Sequence, residues 1–274
     1  MSHMPSEAWQ LVSLPDAVLE VMVRGSGEPV VLIQTGLTAD ELVPVAEHPD
    51  LRDPFEVIAY HRRGYAGSSP VEGAGSIVRD ASDCRELLAA LGVDRVHAVG
   101  LSYSGAVAVQ LAASAPDLVR SLCLIEPPPV HVAEFRAVTD QLIEECQAHG
   151  PASALERFLR LTVVGPDWRR ELERRLPGAA AQEERDAGTF FATDLPALMG
   201  WQFGPEDARR INQPVLYVGG TESGPWFARV HDLVLSWLPQ AEDVMLEGAD
   251  HSLALTHTAP LAEALTSFLH RHPM

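Results

Sequence analysis

The sequence predicts an α/β protein with a mostly parallel, doubly wound sheet and an inserted helical cap. Continuous apolar runs, typical of strands buried on both faces, alternate along the chain with segments of helical periodicity. This alternation stops between residues 131 and 210, where only charged helical segments occur, and it resumes afterwards. We therefore predict a core formed by residues 5–130 and 211–274 and a helical cap formed by residues 131–210.

The individual elements follow from local patterns. Two alternating segments around the turn at Pro15 predict an antiparallel pair of strands, and Gly92 ends the helix predicted from residue 77 to residue 91. Apolar runs predict the buried strands of the core at residues 29–33, 55–60, 96–99, 121–125, 214–218 and 243–246. The helices predicted last in the chain span residues 226–237 and 260–270.

Charge and composition exclude several classes of protein. The net charge of −18 repels phosphate backbones and anionic membranes, so neither nucleic acid nor a membrane is expected as a partner. All 20 basic residues are arginine, which excludes Schiff-base chemistry and a phosphate-loop lysine. The three cysteines lack metal-ligand spacing, and we find neither a signal sequence nor an apolar run of roughly 18 residues. These features predict a cytoplasmic protein without a metal site.

The segment Gly100–Gly105 carries the strongest functional signal. It follows a predicted strand and precedes the small-residue run Ala106–Ala113, so the chain passes from strand to sharp turn to helix with Ser102 at the apex. Such a turn strains the serine backbone and lifts its hydroxyl clear of the sheet, and the helix N-terminus offers N–H groups to an anion. The usual motif is G-x-S-x-G, and Ser104 stands here in place of the second glycine.

Four turns at the ends of predicted strands make the chain resemble the α/β-hydrolase superfamily over nearly its whole length. These turns are Thr35–Leu37, Arg62–Ser69, the elbow at Ser102, and Gly248–His251. The resemblance implies the α/β-hydrolase fold with a helical cap and the chain order nucleophile, acid, histidine. It makes Ser102 the expected nucleophile and His251 the expected base.

The resemblance also assigns the oxyanion hole, which needs two backbone N–H donors directed at the developing negative charge. These donors are expected from Tyr103, the residue after the nucleophile, and from Leu37, the residue after Gly36. The family commonly has His-Gly at the second turn, whereas this chain has Thr35–Gly36, which changes a side chain and leaves the donor unchanged.

The acid is the point at which this chain departs from the family pattern, because Ser223 stands where an aspartate is usual. Two carboxylates remain candidates for the acid of the triad. Glu126 ends the strand at residues 121–125, a place where haloalkane dehalogenases and other members carry a glutamate, and Glu222 lies one residue before Ser223. Glu126 lies between an apolar strand and rigid prolines, whereas Glu222 lies in a Gly/Ser turn, so we predict Glu126 and keep Glu222 as the alternative.

Aromatic residues are concentrated in the predicted cap, where they could form an apolar pocket or simply pack the cap helices against each other. Phe191 and Trp201 are the first candidates for the pocket. No cluster of basic residues lies near the elbow, which disfavours phosphorylated substrates.

The leading functional hypothesis is a serine hydrolase without cofactor that cleaves an ester, lactone or thioester of a small apolar substrate through an acyl-enzyme. The same triad could instead hydrolyse a carbon–carbon or amide bond or transfer an acyl group. A third hypothesis is a degenerate hydrolase fold that only binds a small ligand, motivated by the absence of an acid at Ser223. The alkyl-enzyme chemistry of dehalogenases is excluded, since it requires an aspartate in place of Ser102.

Overall fold

The sheet occupies the centre of the molecule. The computed structural model describes residues 9–162 and 168–274, so residues 5–8 of the predicted core lie outside the described residues. Eight strands form one sheet: β1 (Gln10–Ser13), β2 (Val18–Gly25), β3 (Glu28–Ile33), β4 (Phe55–Tyr60), β5 (Val96–Leu101), β6 (Val119–Ile125), β7 (Val215–Gly220) and β8 (Ala241–Leu246). Their order across the sheet is β1-β2-β4-β3-β5-β6-β7-β8.

Most of this sheet is parallel. Strands β3 to β8 pair with one another in parallel, whereas β1 and β2 form an antiparallel pair and β2 also runs antiparallel to β4. The predicted fold class is therefore confirmed. Because Leu101 of β5 pairs with Ile125 of β6, the residues that follow these strands emerge side by side at one edge of the sheet.

Helices cover both faces of the sheet. They are α1 (Val43–Ala46), α2 (Pro49–Arg52), α3 (Ile77–Ala90), α4 (Tyr103–Ser114), α5 (Ala133–His149), α6 (Pro151–Thr162), α7 (Trp168–Arg175), α8 (Ala179–Thr189), α9 (Leu195–Gly200), α10 (Pro205–Ala208), α11 (Pro225–Trp237), α12 (Leu253–Thr256) and α13 (Thr258–Arg271). A π-helical turn, Phe190–Asp194, joins α8 to α9. Among the helices of the described residues, none has both the length and the apolar character that a membrane span requires.

Two apolar layers result from the alternation of side chains along the strands. On β3, Val31 and Ile33 pack with α3 and α4 on one face, whereas Val30 and Leu32 pack with α1, α2, α12 and α13 on the other. Each strand residue buries its side chain in one layer because successive Cβ atoms point to opposite faces. Both faces of the central strands are therefore shielded from solvent, which explains their continuous apolar runs.

The described residues between β6 and β7 contain helices α5 to α10 and no strand. The exact division into a core and a cap stays a prediction, but this helical insertion touches the core at its loops. Thr189 of α8 donates a hydrogen bond to the carbonyl oxygen of Gly64, and Thr38 donates to Glu183 of α8. The insertion also has an apolar cluster of its own, and that cluster includes Leu37 from the core.

Candidate active site

The turn between β5 and α4 has the geometry of a nucleophile elbow. Ser102 lies between strand and helix with φ of 49° and ψ of −122°, a conformation that a residue with a side chain rarely adopts. Its backbone is fixed on both sides, because its N–H donates to the carbonyl oxygen of Ile125 at 3.0 Å and its carbonyl oxygen accepts from Gly105 at 2.8 Å.

Small residues make this turn possible. A Cβ atom on Gly100 would lie 2.3 Å from the carbonyl oxygen of Ser104, and one on Gly105 would lie 2.8 Å from Cβ of Pro127. Ser104, which replaces the second glycine of the motif, is fully buried and donates to the Leu101 carbonyl while accepting from the Leu101 N–H, both at 2.9 Å. The replacement therefore adds two hydrogen bonds across the elbow.

His251 and Glu126 meet at the carboxyl ends of the strands. Nδ1 of His251 lies 2.6 Å from Oε2 of Glu126. The Glu126 side chain is 1% exposed, and its second oxygen, Oε1, accepts the N–H of Gly220 at 2.8 Å. Glu126 itself has φ of 41°, and its N–H donates to the carbonyl oxygen of Val218. The carboxylate is thus held by the neighbouring strand β7 and directed at the imidazole.

The His251 ring is held on a second side by stacking. The ring of Phe227, from α11, lies parallel to it at a centroid distance of 4.0 Å and an interplanar angle of 22°. The His251 side chain is 37% exposed, so part of the ring remains accessible to solvent. An imidazole with Nδ1 against a carboxylate carries its proton on Nδ1 and presents Nε2 as the basic nitrogen.

The structure does not bring the alternative carboxylate to the imidazole. Glu222 is exposed, and its backbone N–H donates to the carbonyl oxygen of Ala249. Next to it, Oγ of Ser223 is buried and has no hydrogen-bond partner among the described residues. Of the two carboxylates that the sequence left open, only Glu126 contacts His251.

The turn after β3 has the second strained backbone of the site. Leu37 has φ of 62°, and its N–H donates to the hydroxyl of Tyr65 at 3.2 Å. A Cβ atom on Gly36 would lie 2.6 Å from the ring of Phe190, so the glycine allows the helical insertion to approach this turn closely. Tyr103 is the first residue of α4, where backbone N–H groups lack partners within the helix.

A partly buried carboxylate lies near the imidazole. Burial raises the pKa of Glu41 from its ordinary value of 4.5 to about 7; the charge of His251 lowers it, and the charges of Glu183 and Asp250 raise it further. Burial also raises the pKa of Glu183, although the Thr38 hydroxyl, which donates to it at 2.6 Å, opposes this shift. This side of the site is polar and favours the neutral form of Glu41.

The two aromatic candidates for the pocket have different surroundings. Phe191 is fully buried and packs edge-to-face against Phe158 and Phe190 within the apolar cluster of the helical insertion. Trp201 stacks on Phe203 at 4.9 Å and donates to the side chain of Gln110 at 3.0 Å. Trp201 also lines a small apolar cavity between α4 and α11, and the residues lining this cavity include none of the triad candidates. The role of Trp201 in the substrate pocket stays a prediction.

Several residues near the site were not singled out by sequence reasoning. Phe227 stacks on the imidazole, Phe190 contacts the turn at Gly36, and Tyr65 contacts the Leu37 amide. Only Tyr65 lies in a motif that carried a signal, the segment Arg62–Ser69. The other two come from helices whose position on the site no local pattern predicts. No group of three or more His, Cys, Asp or Glu residues suited to a metal ion occurs within residues 9–162 and 168–274.

Comparisons with known sequences agree with this architecture. A family model described as "alpha/beta hydrolase fold" matches residues 29–258. The chain is 27% identical over 277 residues to the "Putative carbamate hydrolase RutD" of Pseudomonas syringae pv. syringae (strain B728a), covering 97% of this chain and 98% of that protein. It is 34% identical over 128 residues to a fluoroacetate dehalogenase from Burkholderia sp., a match that covers 45% of this chain and less than half, 42%, of that protein.

Solved structures show the same fold. A thermophilic esterase from Thermogutta terrifontis superposes with a TM-score of 0.80 at 20% identity, covering 97% of this chain and 100% of that one. The enol-lactonase from Burkholderia xenovorans LB400 superposes with a TM-score of 0.75 at 21% identity, covering 95% and 100%. Because the family model spans most of the sequence, this protein belongs to the alpha/beta hydrolase fold family and is a hydrolase.

Proposed function

We propose that this protein is a serine hydrolase that cleaves an ester, lactone or thioester bond of a small apolar substrate through an acyl-enzyme, without a cofactor. The contact of 2.6 Å between His251 and Glu126 carries the proposal. Ser102 and Glu126 follow neighbouring residues of β5 and β6, so the strained serine and the paired imidazole belong to the same edge of the sheet. This contact also supports an enzyme over a degenerate ligand-binding fold, because that alternative rests on the absence of an acid at Ser223.

In the first half of the reaction, Oγ of Ser102 attacks the carbonyl carbon while Nε2 of His251 takes the hydroxyl proton. The carbonyl π electrons move onto oxygen and form a tetrahedral oxyanion. Glu126 accepts a hydrogen bond from Nδ1–H and stabilises the imidazolium that results. The oxyanion then collapses, the bond to the leaving group breaks, and the alcohol or thiol leaves with the proton from Nε2.

The second half repeats these steps with water. His251 takes a proton from a water molecule, the hydroxide oxygen attacks the acyl carbon, and a second oxyanion forms. When it collapses, Oγ of Ser102 recovers its proton from Nε2, and the free acid leaves. In both halves the backbone N–H groups of Tyr103 and Leu37 are the proposed donors to the oxyanion, and losing one such donor costs on the order of 10²- to 10³-fold in kcat.

The proposed substrate is small and apolar on its acyl side. Leu37, the residue of the proposed oxyanion turn, packs into the apolar cluster of the helical insertion with Phe190 and Phe191. Apolar side chains above the reacting carbonyl favour an uncharged acyl group, because burying a charge there without a partner is costly. The role of Phe191 in this pocket stays a prediction.

A carbamate is the second candidate substrate, since the relative named as a carbamate hydrolase aligns with nearly the whole chain. Its carbonyl carbon can be attacked by Ser102 in the same way, with an amine or alcohol as the leaving group. The dehalogenase relative does not transfer its named activity, because displacing a halide through an alkyl-enzyme ester requires a carboxylate at the position of Ser102.

Covalent labelling tests the proposal. We expect a fluorophosphonate probe to label the native protein, and S102A to abolish labelling while retaining the melting temperature of the parent. A panel of p-nitrophenyl esters of graded chain length, simple lactones and p-nitrophenyl carbamates, assayed on both proteins, then identifies the bond that is cleaved. Labelling that persists in S102A, or turnover that S102A retains, would contradict the proposed nucleophile.

A further inference from the structure

We infer that Tyr65 is a positioning residue for the proposed oxyanion hole, acting through the Leu37 amide and itself oriented by Asp194 of the helical insertion. The inference rests on the proposed function, because it concerns the stabilisation of the tetrahedral intermediate. It adds a side chain from the turn after β4 and one from the insertion to a site otherwise built from three backbone turns.

The turn Thr35–Leu37, which contains the proposed oxyanion donor, needs contacts from other segments to keep its conformation. Leu37 has φ of 62°, in the left-handed region that disfavours residues with a side chain, and such a conformation persists only where the surroundings fix it. The turn also has to hold the Leu37 N–H in one direction, because a donor contributes to catalysis when it is oriented before the charge develops.

Arg62 and Tyr65 supply this support. Nε of Arg62 donates to the carbonyl oxygen of Gln34 at 3.0 Å, and its Nη2 donates to that of Thr35 at 3.3 Å. The Tyr65 hydroxyl accepts the N–H of Leu37 at 3.2 Å. The backbone of the turn is therefore held at three polar groups between residues 34 and 37, and Tyr65 binds the proposed oxyanion donor, the Leu37 N–H.

Asp194 fixes the direction of the Tyr65 hydroxyl. Because this hydroxyl accepts from Leu37, it donates its own hydrogen to Oδ2 of Asp194, at 2.6 Å. Asp194 also pairs with Arg62, whose Nη2 lies 2.5 Å from the same oxygen. Tyr65, Asp194 and Arg62 are all at most 3% exposed, and burial raises the pKa of Tyr65 well above its usual range, so the hydroxyl keeps its proton.

The hydrogen bond between Tyr65 and Asp194 connects the helical insertion to the proposed oxyanion hole. Asp194 ends the π-helical turn Phe190–Asp194, the segment that also brings Phe190 against Gly36. Before substrate binds, the Leu37 N–H is satisfied by a neutral hydroxyl, which avoids a buried donor without a partner. When the oxyanion forms, a charged acceptor competes for the same hydrogen and makes the stronger bond.

The test compares Y65F with Y60F. Both variants remove one buried phenolic oxygen, but the Tyr60 hydroxyl lies beside Cys84 rather than Leu37. For the best ester of the panel, we expect Y65F to lower kcat roughly 10-fold or more while KM changes less than about 2-fold, since the amide acts mainly on the transition state. Binding of a trifluoromethyl ketone, which forms a tetrahedral adduct with the serine, should weaken by a similar factor. Y60F should leave both values unchanged.

Asp194 is tested by D194N and by the double variant Y65F/D194N. If Asp194 acts mainly through Tyr65, D194N alone lowers kcat, and the loss in the double variant is smaller than the two single losses combined, because both changes break the same link while Asp80 still pairs with Arg62. An additive loss would overturn the link. Should Y65F fail to fold, unchanged kcat in D194N would overturn it as well.

The outcomes separate this inference from the proposed function. A native protein that neither reacts with the fluorophosphonate nor binds the ketone overturns both. A native protein that does both, with Y65F matching Y60F in kcat and in ketone affinity, overturns the role of Tyr65 alone.

Discussion

Nδ1 of His251 lies 2.6 Å from Oε2 of Glu126, a carboxylate at the end of β6 rather than at the end of β7. The other oxygen of this carboxylate accepts the N–H of Gly220, the last residue of β7. The strand that usually carries the acid therefore contributes a backbone donor here. A buried carboxylate with both oxygens engaged is a rigid partner for an imidazole.

The first prediction concerns Glu126. In E126Q the amide can still accept from Gly220, but its NH₂ group then faces Nδ1 and forces the imidazole proton onto Nε2. The imidazole can no longer take the proton of Ser102, so kcat should fall on the order of 10²- to 10⁴-fold with little change in stability. Steady-state kinetics and a melting curve on the same preparation measure both.

E222Q is the matched control, because Glu222 is exposed and makes no contact with His251. Its kcat should equal that of the native protein. A large loss in E222Q together with a silent E126Q would show that the pairing in the structure is not the one used in the reaction.

Much of the architecture could be predicted from the sequence. Strands buried on both faces leave continuous apolar runs, and the elbow needs small residues at Gly100 and Gly105, so both features are recorded locally in the chain. The choice between Glu126 and Glu222 was harder, since both fit the order serine, acid, histidine. The stiff support of Glu126, between a strand and Pro127, favours it; Glu126 is the one that contacts His251 in the structure, and its role as the acid stays a prediction.

The contacts of the helical insertion could not be predicted in this way. Trp201 is predicted to line the pocket because aromatic residues are concentrated in the insertion, and this stays a prediction; no local pattern indicates its stacking on Phe203 or its hydrogen bond to Gln110. Likewise, no local pattern indicates that Asp194 reaches Tyr65, which is 129 residues away in the chain. Contacts between distant segments are set by tertiary packing, which periodicity does not record.

The second prediction therefore concerns Trp201. W201A removes a ring that stacks on Phe203 and lines a cavity without the triad candidates, together with the hydrogen bond to Gln110, so it should destabilise the protein by up to about 3–5 kcal/mol. It should alter KM for short and long esters by the same factor. Denaturant titration and a chain-length series of p-nitrophenyl esters measure the two effects. A KM increase confined to long esters would show instead that Trp201 lines the substrate pocket.

The third prediction uses two glycines. In G105A the new methyl group would lie 2.8 Å from Cβ of Pro127, so the residue after Glu126 must move. We expect a loss of about 1–3 kcal/mol in the free energy of unfolding from overpacking, together with a lower kcat.

G188A is the control for this substitution. Gly188 lies within α8, and nothing occupies the space around its missing Cβ. Alanine there should stabilise the protein by up to about 1 kcal/mol and leave kcat unchanged, because it only improves helix propensity. Equal effects of the two substitutions on kcat would contradict the coupling of Gly105 to the acid.

The last prediction concerns pH. Burial raises the pKa of Glu41 from 4.5 to about 7, so between these values the folded protein binds more protons than the unfolded chain. Stability should therefore fall as the pH rises from about 4.5 to above 7, because folding then has to bury the Glu41 carboxylate in its charged form or take up a proton to neutralise it, and either step has a cost.

E41Q isolates this effect, since glutamine resembles the neutral carboxyl group at every pH. At pH 5 the melting temperatures of E41Q and the native protein should differ little, whereas at pH 8 E41Q should melt at the higher temperature. The contributions of other titrating groups to the melting temperature cancel when the two proteins are compared at the same pH. E222Q is the control, because Glu222 is exposed and its replacement should cause no pH-dependent difference in melting temperature. A difference between E41Q and the native protein that is the same at pH 5 and pH 8 would mean that Glu41 does not titrate in this range, and its carboxyl group would then be better solvated than its burial beside Glu183 and Asp250 implies.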